Sequence, residues 1–257
     1  MSVYEISDKK CLENLFEGWQ ETLIWSCMQG CMGRAYADNI TSPKSAQIVI
    51  GDFCFLAGEA NKELICNKPN DRKSNFIIMI PQNNEWNKLI EKTYKENATK
   101  VYRYAIKKER DIFDIVKLKE IVENIKKPFN IQMIDKDIFN QVISNPWSQD
   151  LCSQFNDYED YKKRGIGAVV LEDGIVVSGA SSYTVYNEGI EIEIDTRKDY
   201  RRKGLALACG AKLILECLNK GLYPSWDAQN KGSVALAEKL GYHFDKEYIA
   251  YEVEICS

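Results

Sequence analysis

The clearest hydrophobic pattern in the chain is a strict alternation of apolar and acidic residues at positions 190–195, which read Ile-Glu-Ile-Glu-Ile-Asp. Because the side chains of a strand point alternately to its two faces, this run predicts a strand with one apolar and one acidic face. Basic residues follow at 201–203, and apolar residues with helical spacing follow them. The sequence therefore predicts a strand, a short basic loop and a helix in succession.

The rest of the C-terminal half alternates between strand and helix patterns. An Asp-Gly pair at 173–174 predicts a hairpin turn. The strand–helix–strand unit over 190–228 needs a crossover, so its two strands should be parallel. We expect a mixed sheet with helices on both faces, built from strands at 129–134, 166–172, 175–186, 190–196, 223–228 and 248–255 and helices at 135–143, 149–164, 204–219 and 231–240.

The N-terminal half is typical of an α+β unit. We expect helices at 15–25, 86–94 and 112–125, and strands at 45–58 (divided or bent at Gly51), 76–80 and 101–106. No nucleophile, metal or phosphate motif is present in this half. Its aromatic residues and Arg34 either line a substrate pocket or serve as packing residues, and packing is the simpler interpretation.

A domain boundary is predicted near residues 126–130, where Lys-Lys-Pro ends a helix and a new strand begins. At 257 residues the chain is long enough for one large or two modest domains. We therefore predict an α/β fold with two domains: an accessory α+β domain over 1–127 and a mixed-sheet domain over 128–257.

Composition excludes several classes of function. The net charge of −4 gives no overall attraction to nucleic acid or to membranes, and no apolar run approaches the ~18 residues that span a bilayer. The nine scattered cysteines, with no secretory signal, favour reduced thiols and a cytoplasmic location. Cys27 and Cys31 have helical spacing but lack a second Cys or His pair, so no metal site is predicted.

The basic loop Arg201-Arg202-Lys203-Gly204 opens a predicted helix and has two interpretations. It is an ordinary helix start with a solvated basic face, or it is an anion site. The free N–H groups of a helix N-terminus attract anions, and Gly204 has no Cβ to hinder the approach of a pyrophosphate.

Two sequence patterns resemble those of the GNAT acetyltransferase superfamily, over about residues 129–255. The phosphate-loop pattern Arg/Gln-x-x-Gly-x-Gly/Ala stands at Arg201–Ala206. A later pattern of an Asn, a small residue three positions on and Lys-Leu-Gly-aromatic stands at Asn230, Ser233 and 239–242. Gly-Asp-Phe-x-Phe-Leu-Ala-Gly at 51–58 is similar to the extra domain of a two-domain bacterial subgroup that includes zwittermicin-resistance acetyltransferases. The resemblance implies a GNAT fold with a V-splayed central sheet.

The resemblance also implies acetyl-CoA as co-substrate and a set of residues that bind it. Backbone N–H groups of the loop would hold the pyrophosphate, and the strand before the loop would pair with the pantetheine arm. Asn230 would hold the cofactor arm or keep the cleft open, and it would also serve as a helix N-cap. The implied binding residues are Ile194, Thr196, Arg201, Arg202, Lys203, Gly204, Leu205, Ala206, Asn230 and Ser233.

Catalysis in this family needs a carboxylate that accepts the amine proton, directly or through water. Glu191 and Glu193 are the candidates, since they share one face of the strand; the alternative is that this face is a solvated sheet surface. The tyrosine that protonates the leaving thiolate in many members is replaced by Ala237. Its role would pass to another group, namely Tyr242, Tyr183, Tyr186 or water.

The leading hypothesis is an N-acetyltransferase that acts on the amine of a small molecule by direct attack in a ternary complex. No activated Cys or Ser nucleophile is evident, which favours direct transfer. The alternative is a catalytically silent CoA-binding sensor or interaction protein of the same fold, and Ala237 favours that alternative.

Overall fold

The computed structural model describes residues 2–69 and 74–255. The chain forms two compact units, one composed of Met1–Arg103 with Glu247–Ser257 and the other of Tyr104–Lys246. The boundary expected at 127–128 lies inside the second unit, between a helix and a strand.

The helices are α1 (Glu13–Phe16), α2 (Thr22–Met28), α3 (Lys62–Cys66), α4 (Asn84–Tyr94), α5 (Ile115–Glu123), α6 (Lys136–Ile143), α7 (Tyr158–Arg164), α8 (Leu205–Asn219) and α9 (Lys231–Leu240). Short 3-10 turns occur at Lys9–Leu12, Lys95–Asn97, Gln149–Leu151 and Lys198–Tyr200. The strands are β1 (Tyr4–Glu5), β2 (Arg34–Ala37), β3 (Ser45–Ile50), β4 (Phe53–Gly58), β5 (Phe76–Pro81), β6 (Ala98–Ile106), β7 (Phe129–Met133), β8 (Gly167–Glu172), β9 (Ile175–Tyr186), β10 (Gly189–Thr196), β11 (Tyr223–Ser225), β12 (Asp227–Ala228) and β13 (Phe244–Glu254).

The first unit is built on a mixed sheet. Strands β1 to β4 are antiparallel neighbours in order, β5 is parallel to β4, and β13 is antiparallel to β5. Its core contains Leu56, Trp86 and Tyr251, all fully buried. The Trp86 indole donates to the Gly58 carbonyl at 3.0 Å, so its one polar atom is satisfied inside the core.

The second unit contains a five-stranded sheet in the order β11-β10-β9-β8-β7. The pairs from β7 to β10 are antiparallel, and β10 is parallel to β11. The Asp173-Gly174 hairpin turn is confirmed, with φ of 50° and 80° at the two residues. The parallel pair predicted around the crossover helix, now α8, is confirmed as well.

Elements cover both faces of this sheet. On one face, a Cβ at Gly210 of α8 would lie 3.3 Å from the Ile194 side chain, so α8 packs on the isoleucine face of β10. On the other face, Leu151 would lie 2.6 Å from a Cβ at Gly179. Gly179 is opposite Asp195 in the register, so the acidic residues of β10 share the face on which Leu151 packs.

Three elements that were predicted as continuous are each divided in the structure. The helix predicted over 15–25 is broken at Gly18, whose φ of 74° is outside the helical range. The helix predicted over 149–164 is a 3-10 turn followed by α7, and the strand predicted over 223–228 divides at Trp226 into β11 and β12. Helical and strand spacing predicted the type of these segments but not the local breaks.

Candidate active site

Strand β10 changes its surroundings half-way along its length. Its first three residues, Gly189–Glu191, pair with β11. Trp226 then ends β11, and β12 pairs instead with Tyr104 and Ala105 of β6. In the described parts of the chain, no strand therefore pairs with 192–196 on that side. This is the divergence of strands expected of a V-splayed sheet.

The main-chain groups on this open edge belong to alternate residues. The Arg197 N–H donates to the carbonyl of Val177 in β9 at 3.0 Å. Since hydrogen-bonded and non-hydrogen-bonded pairs alternate in an antiparallel ladder, Ile194 and Thr196 direct their N–H and C=O groups away from β9. Both residues predicted as main-chain partners of the pantetheine arm thus face the open edge.

Thr196 already uses these groups inside the protein. Its N–H donates to Asp195 Oδ1 at 2.9 Å, and its carbonyl accepts from Arg201 Nε at 3.2 Å. Its hydroxyl lies 2.7 Å from Ser178 Oγ. Of the two residues, Ile194 is therefore the stronger candidate for pairing with a ligand.

The basic loop ends in an uncapped helix start. Gly204 is the N-cap of α8, with φ 81° and ψ 2°, and no side chain of the described residues caps the helix. Ala208 N–H donates to the Gly204 carbonyl at 3.2 Å, so the N–H groups of residues 205–207 precede the first intrahelical bond. Within the described ranges, a Cβ built on Gly204 meets no atom closer than 4 Å. The loop backbone is thus open to an anion, as the binding of a pyrophosphate requires.

Two cations of this region are held by one aromatic ring. Arg197 and Lys203 each lie 4.3 Å from the centroid of the Tyr200 ring, and the Tyr200 hydroxyl donates to Glu172. The guanidinium of Arg197 also contacts Asp199 at 2.8 Å. Arg197 and Tyr200 were not predicted as site residues. The signal available for them was an aromatic residue placed between basic residues in the loop.

Asn230 is confirmed as the N-cap of α9. Its Oδ1 accepts from the Ser233 N–H at 3.0 Å, and its backbone is extended. The predicted cofactor residues Asn230 and Ser233 therefore contact each other. Elsewhere in the predicted set, Arg201, Arg202, Lys203 and Gly204 are exposed, Leu205 is buried and Ala206 is half-buried.

The acidic face of β10 is not a uniformly solvated surface. Glu191 is only 4% exposed, and Glu193 and Asp195 are half-buried. Burial raises the pKa of Asp195, while the Thr196 N–H and the charge of Arg201 act in the opposite direction. The alternative of an exposed sheet face therefore fails for Glu191.

Glu191 lies in a buried polar row that crosses three strands. Thr184 of β9 and Ser225 of β11 are its direct neighbours in the register, and both are fully buried. Glu191 also interacts electrostatically with the hydroxyls of Tyr186 and Tyr223. Burial is the main cause that raises the pKa of each tyrosine, and Glu191 adds to the shift in both. Glu191 therefore has hydroxyl-bearing residues on both neighbouring strands.

The residues considered as proton donors differ in availability. Tyr242 is buried, and its hydroxyl donates to the Pro224 carbonyl at 2.6 Å. Ala237 is fully buried, so its position has no access to solvent. His243 Nδ1 lies 2.7 Å from Glu109 Oε2. Tyr183 and Tyr186 are buried beside the Glu191 segment of the sheet.

Comparison with known proteins identifies the class of this chain. The family model described as GNAT acetyltransferase matches residues 13–251. A GCN5-related N-acetyltransferase-like protein from Streptococcus suis 89/1591 has a crystal structure that matches with a TM-score of 0.90 and 45% identity, over 96% of this chain and 98% of that one. The chain belongs to the GNAT acetyltransferase family.

Two further relatives extend the comparison. An uncharacterized N-acetyltransferase of Bacillus subtilis (strain 168), YdfB, is 26% identical over 261 residues, which cover 96% of this chain and 97% of that protein. A GNAT-family acetyltransferase from Colwellia psychrerythraea has a TM-score of 0.53 at 10% identity, over 98% of this chain and 100% of that one. The second likeness concerns the fold alone.

Family membership indicates acyltransferase activity, and members of this family generally use acetyl-CoA as co-substrate. Among the described residues, no helix has both the length and the apolar character needed to cross a membrane.

Proposed function

We propose that this chain is an acetyl-CoA-dependent N-acetyltransferase that transfers an acetyl group directly to the amine of a small molecule in a ternary complex. Acetyl-CoA supplies the activated acetyl thioester. The observation that carries the proposal is the combination of two open features on consecutive elements. These are the edge of β10 at residues 192–196, with which no described strand pairs on that side, and the start of α8 at Gly204, which no described side chain caps.

These two features fit different parts of the co-substrate. An extended arm with amide groups can add to a strand edge as another strand does, and Ile194 offers its main chain there. The pyrophosphate fits the backbone N–H groups of residues 205–207, with Arg201, Arg202 and Lys203 adding positive charge. In this proposal Arg201 exchanges its bond to the Thr196 carbonyl for the phosphate, and Asn230 and Ser233 border the arm.

The carboxylates of β10 supply the acid–base chemistry. We assign proton acceptance to Glu191, because it lies where β10 parts from β11 and is almost completely buried. Glu193, which is more exposed on the same strand, attracts the cationic amine. Because Glu191 is enclosed, the amine proton reaches it through water.

Release of CoA thiol, measured with acetyl-CoA and a panel of amines, aminoglycoside-like compounds, polyamines and peptides, tests this function. We expect turnover with a small-molecule amine and a loss of at least ~100-fold in kcat/KM for Glu191→Gln, as is usual for a general base. Tight acetyl-CoA binding without turnover on any acceptor would refute the enzymatic proposal.

A second candidate function is a CoA-binding sensor or interaction protein without catalysis. The buried Ala237 and the engaged hydroxyl of Tyr242 favour it, since neither residue offers a proton to a thiolate. Both candidates require acetyl-CoA binding, so only turnover separates them. The accessory role of residues 1–127 and the cytoplasmic location stay predictions.

A further inference from the structure

The hydroxyl of Thr184 is a buried polar group that the proposed function does not use. The side chain is fully buried. Its Oγ1 makes no hydrogen bond to any protein atom in the parts of the chain that the structure describes. Buried hydroxyls are normally hydrogen-bonded, because leaving one unsatisfied costs free energy. This hydroxyl therefore indicates a hydrogen-bond partner that is not a protein group.

The register shows which groups lie next to this hydroxyl. Thr184 is directly opposite Glu191, and a bulge follows at once between Glu191 and Ile192. Side chains directly opposite each other in an antiparallel pair have Cβ atoms about 5 Å apart and share a face. Ser225 continues the row on the other side of Glu191. Three polar side chains are thus neighbours in one buried row, and a buried water molecule typically bonds two to four such groups.

We propose that Thr184 is a positioning residue for the catalytic base: its hydroxyl donates, through one bridging water molecule, to the ionised carboxylate of Glu191. The inference rests on the proposed function, in which Glu191 accepts the amine proton. A donor held in a fixed place stabilises the charged carboxylate and fixes its orientation. Bulges occur often beside active sites, where they redirect a side chain.

Other titratable groups interact electrostatically with Glu191, and a test must account for them. Tyr186 comes from β9, Tyr223 from β11 and Tyr242 from the segment after α9, while Glu193 follows on its own strand. The tyrosine hydroxyls are neutral at neutral pH, because the ordinary tyrosine pKa of 10.0 is well above 7 and burial raises the pKa of all three further. A change at Thr184 leaves these groups in place, so its effect on Glu191 can be measured separately.

The test is a carbon-13 NMR titration of the glutamate side-chain carboxyls in the full-length chain, with Glu191→Gln used to assign the Glu191 resonance. Thr184→Val keeps the shape of the side chain and removes the hydroxyl, whereas Thr184→Ser keeps the hydroxyl. We expect Thr184→Val to raise the midpoint of Glu191 by about one pH unit, as the loss of a bond to a charged group implies. Thr184→Ser should titrate as the parent protein does.

A matched control is Ser148→Ala, which removes a buried hydroxyl that donates to the Val142 carbonyl of α6 at 2.9 Å. It should leave the midpoint unchanged. An unchanged midpoint in Thr184→Val, or equal shifts in the Val and Ser variants, would overturn the proposal. If an amine substrate is found, the acidic limb of the pH profile of kcat/KM should shift in Thr184→Val by as much as the Glu191 titration midpoint does. An acidic limb that stays in place would also overturn the proposal. Without turnover on any amine the proposed function fails, while the NMR titration still decides the coupling of Thr184 to Glu191.

Discussion

Two helix starts in the second unit were both predicted to bind the co-substrate, and they are built differently. At α9, Asn230 folds its side chain over the helix and accepts from the Ser233 N–H at 3.0 Å. At α8, Gly204 has no side chain to cap the helix, and a Cβ built on it would meet no atom of the described residues within 4 Å. One helix closes its own N-terminus, and the other leaves its N–H groups to an external acceptor.

The difference separates a structural use of a helix dipole from a binding use. A side-chain cap satisfies the N–H groups within the chain and stabilises the helix by about 1 kcal/mol. A glycine start gives up only roughly a few tenths of a kcal/mol relative to such a cap, and it keeps the N–H groups for a ligand. Basic residues surround the open start, at 201–203, whereas residues 231–233 at the closed start include one Lys. We therefore expect acetyl-CoA affinity to depend strongly on the start of α8 and folding stability on the start of α9.

The largest expected effect is at Gly204. Glu at this position places a carboxylate where the pyrophosphate would lie, and like charges in close contact cost several kcal/mol. We predict a loss of at least ~100-fold in acetyl-CoA affinity, measured by calorimetry.

The matched control is Gly221→Glu at the other end of α8. Gly221 has a similar φ of 70°, and a Cβ built on it meets no atom of the described chain within 4 Å, so a glutamate there carries a similar backbone strain. The acetyl-CoA affinity of Gly221→Glu should equal that of the parent protein. Equal affinities for the Gly204 and Gly221 variants would remove the argument for an anion site.

The next effect is at Asn230. Asn230→Ala removes the cap and should destabilise the protein by about 1 kcal/mol, or roughly 2–4 °C in thermal melting. Asn230→Asp keeps an acceptor for the Ser233 N–H and should retain the stability. If the amide nitrogen contacts the co-substrate, both variants lose affinity by a few-fold.

Asp135 provides a comparison, because it caps α6 through the Ile138 N–H at 2.9 Å. Asp135→Ala should lose as much stability as Asn230→Ala and no affinity. If acetyl-CoA bound equally well to all three variants, Asn230 would be a cap and nothing more.

Much of this contrast was predictable from sequence, because it depends on local chemistry. A glycine after three basic residues predicts an anion site at a helix start, and an Asn before an apolar helical pattern predicts an N-cap. The alternation at 190–195 predicted the strand between them. These elements form where they were expected, since each is specified by residues that are neighbours in the chain.

What the sequence did not predict depends on residues that are distant in the chain. The separation of β10 from β11 follows from Trp226, where the chain leaves one strand partner for another. The burial of Glu191 follows from neighbouring strands, and spacing alone fitted a solvated face equally well. The contact of Tyr200 with Arg197 and Lys203 requires a loop geometry that no periodicity encodes.

A smaller effect tests whether the cations at the open start contribute through charge. Lys203→Met removes one positive charge that lies over the Tyr200 ring. Since exposed charges contribute up to about 1 kcal/mol, we predict a loss of about three-fold in acetyl-CoA affinity. The loss should diminish as salt is added, because exposed charges are screened. Lys198→Met, at another exposed position in the same segment, is the control and should change the affinity less.

The smallest effect concerns the strand that leads into the open start. Burial raises the pKa of Asp195 above its ordinary value of 3.8, so the folded protein binds this proton more tightly than the unfolded chain does. The group's contribution is then most favourable below pH 3.8 and is lost as the pH rises through the folded pKa. Asp195→Asn should therefore raise the melting temperature at pH 7, by roughly 1–2 °C if the effect stays within ~0.5 kcal/mol, and the gain should vanish in acid.

Asp199 is the control, because its pKa shift has the opposite sign: the hydrogen bond from Arg197 lowers the pKa of Asp199. Asp199→Asn should therefore not stabilise the protein at pH 7. The burial argument would be contradicted if the difference in melting temperature between Asp195→Asn and the parent protein were smaller at pH 7 than at pH 4.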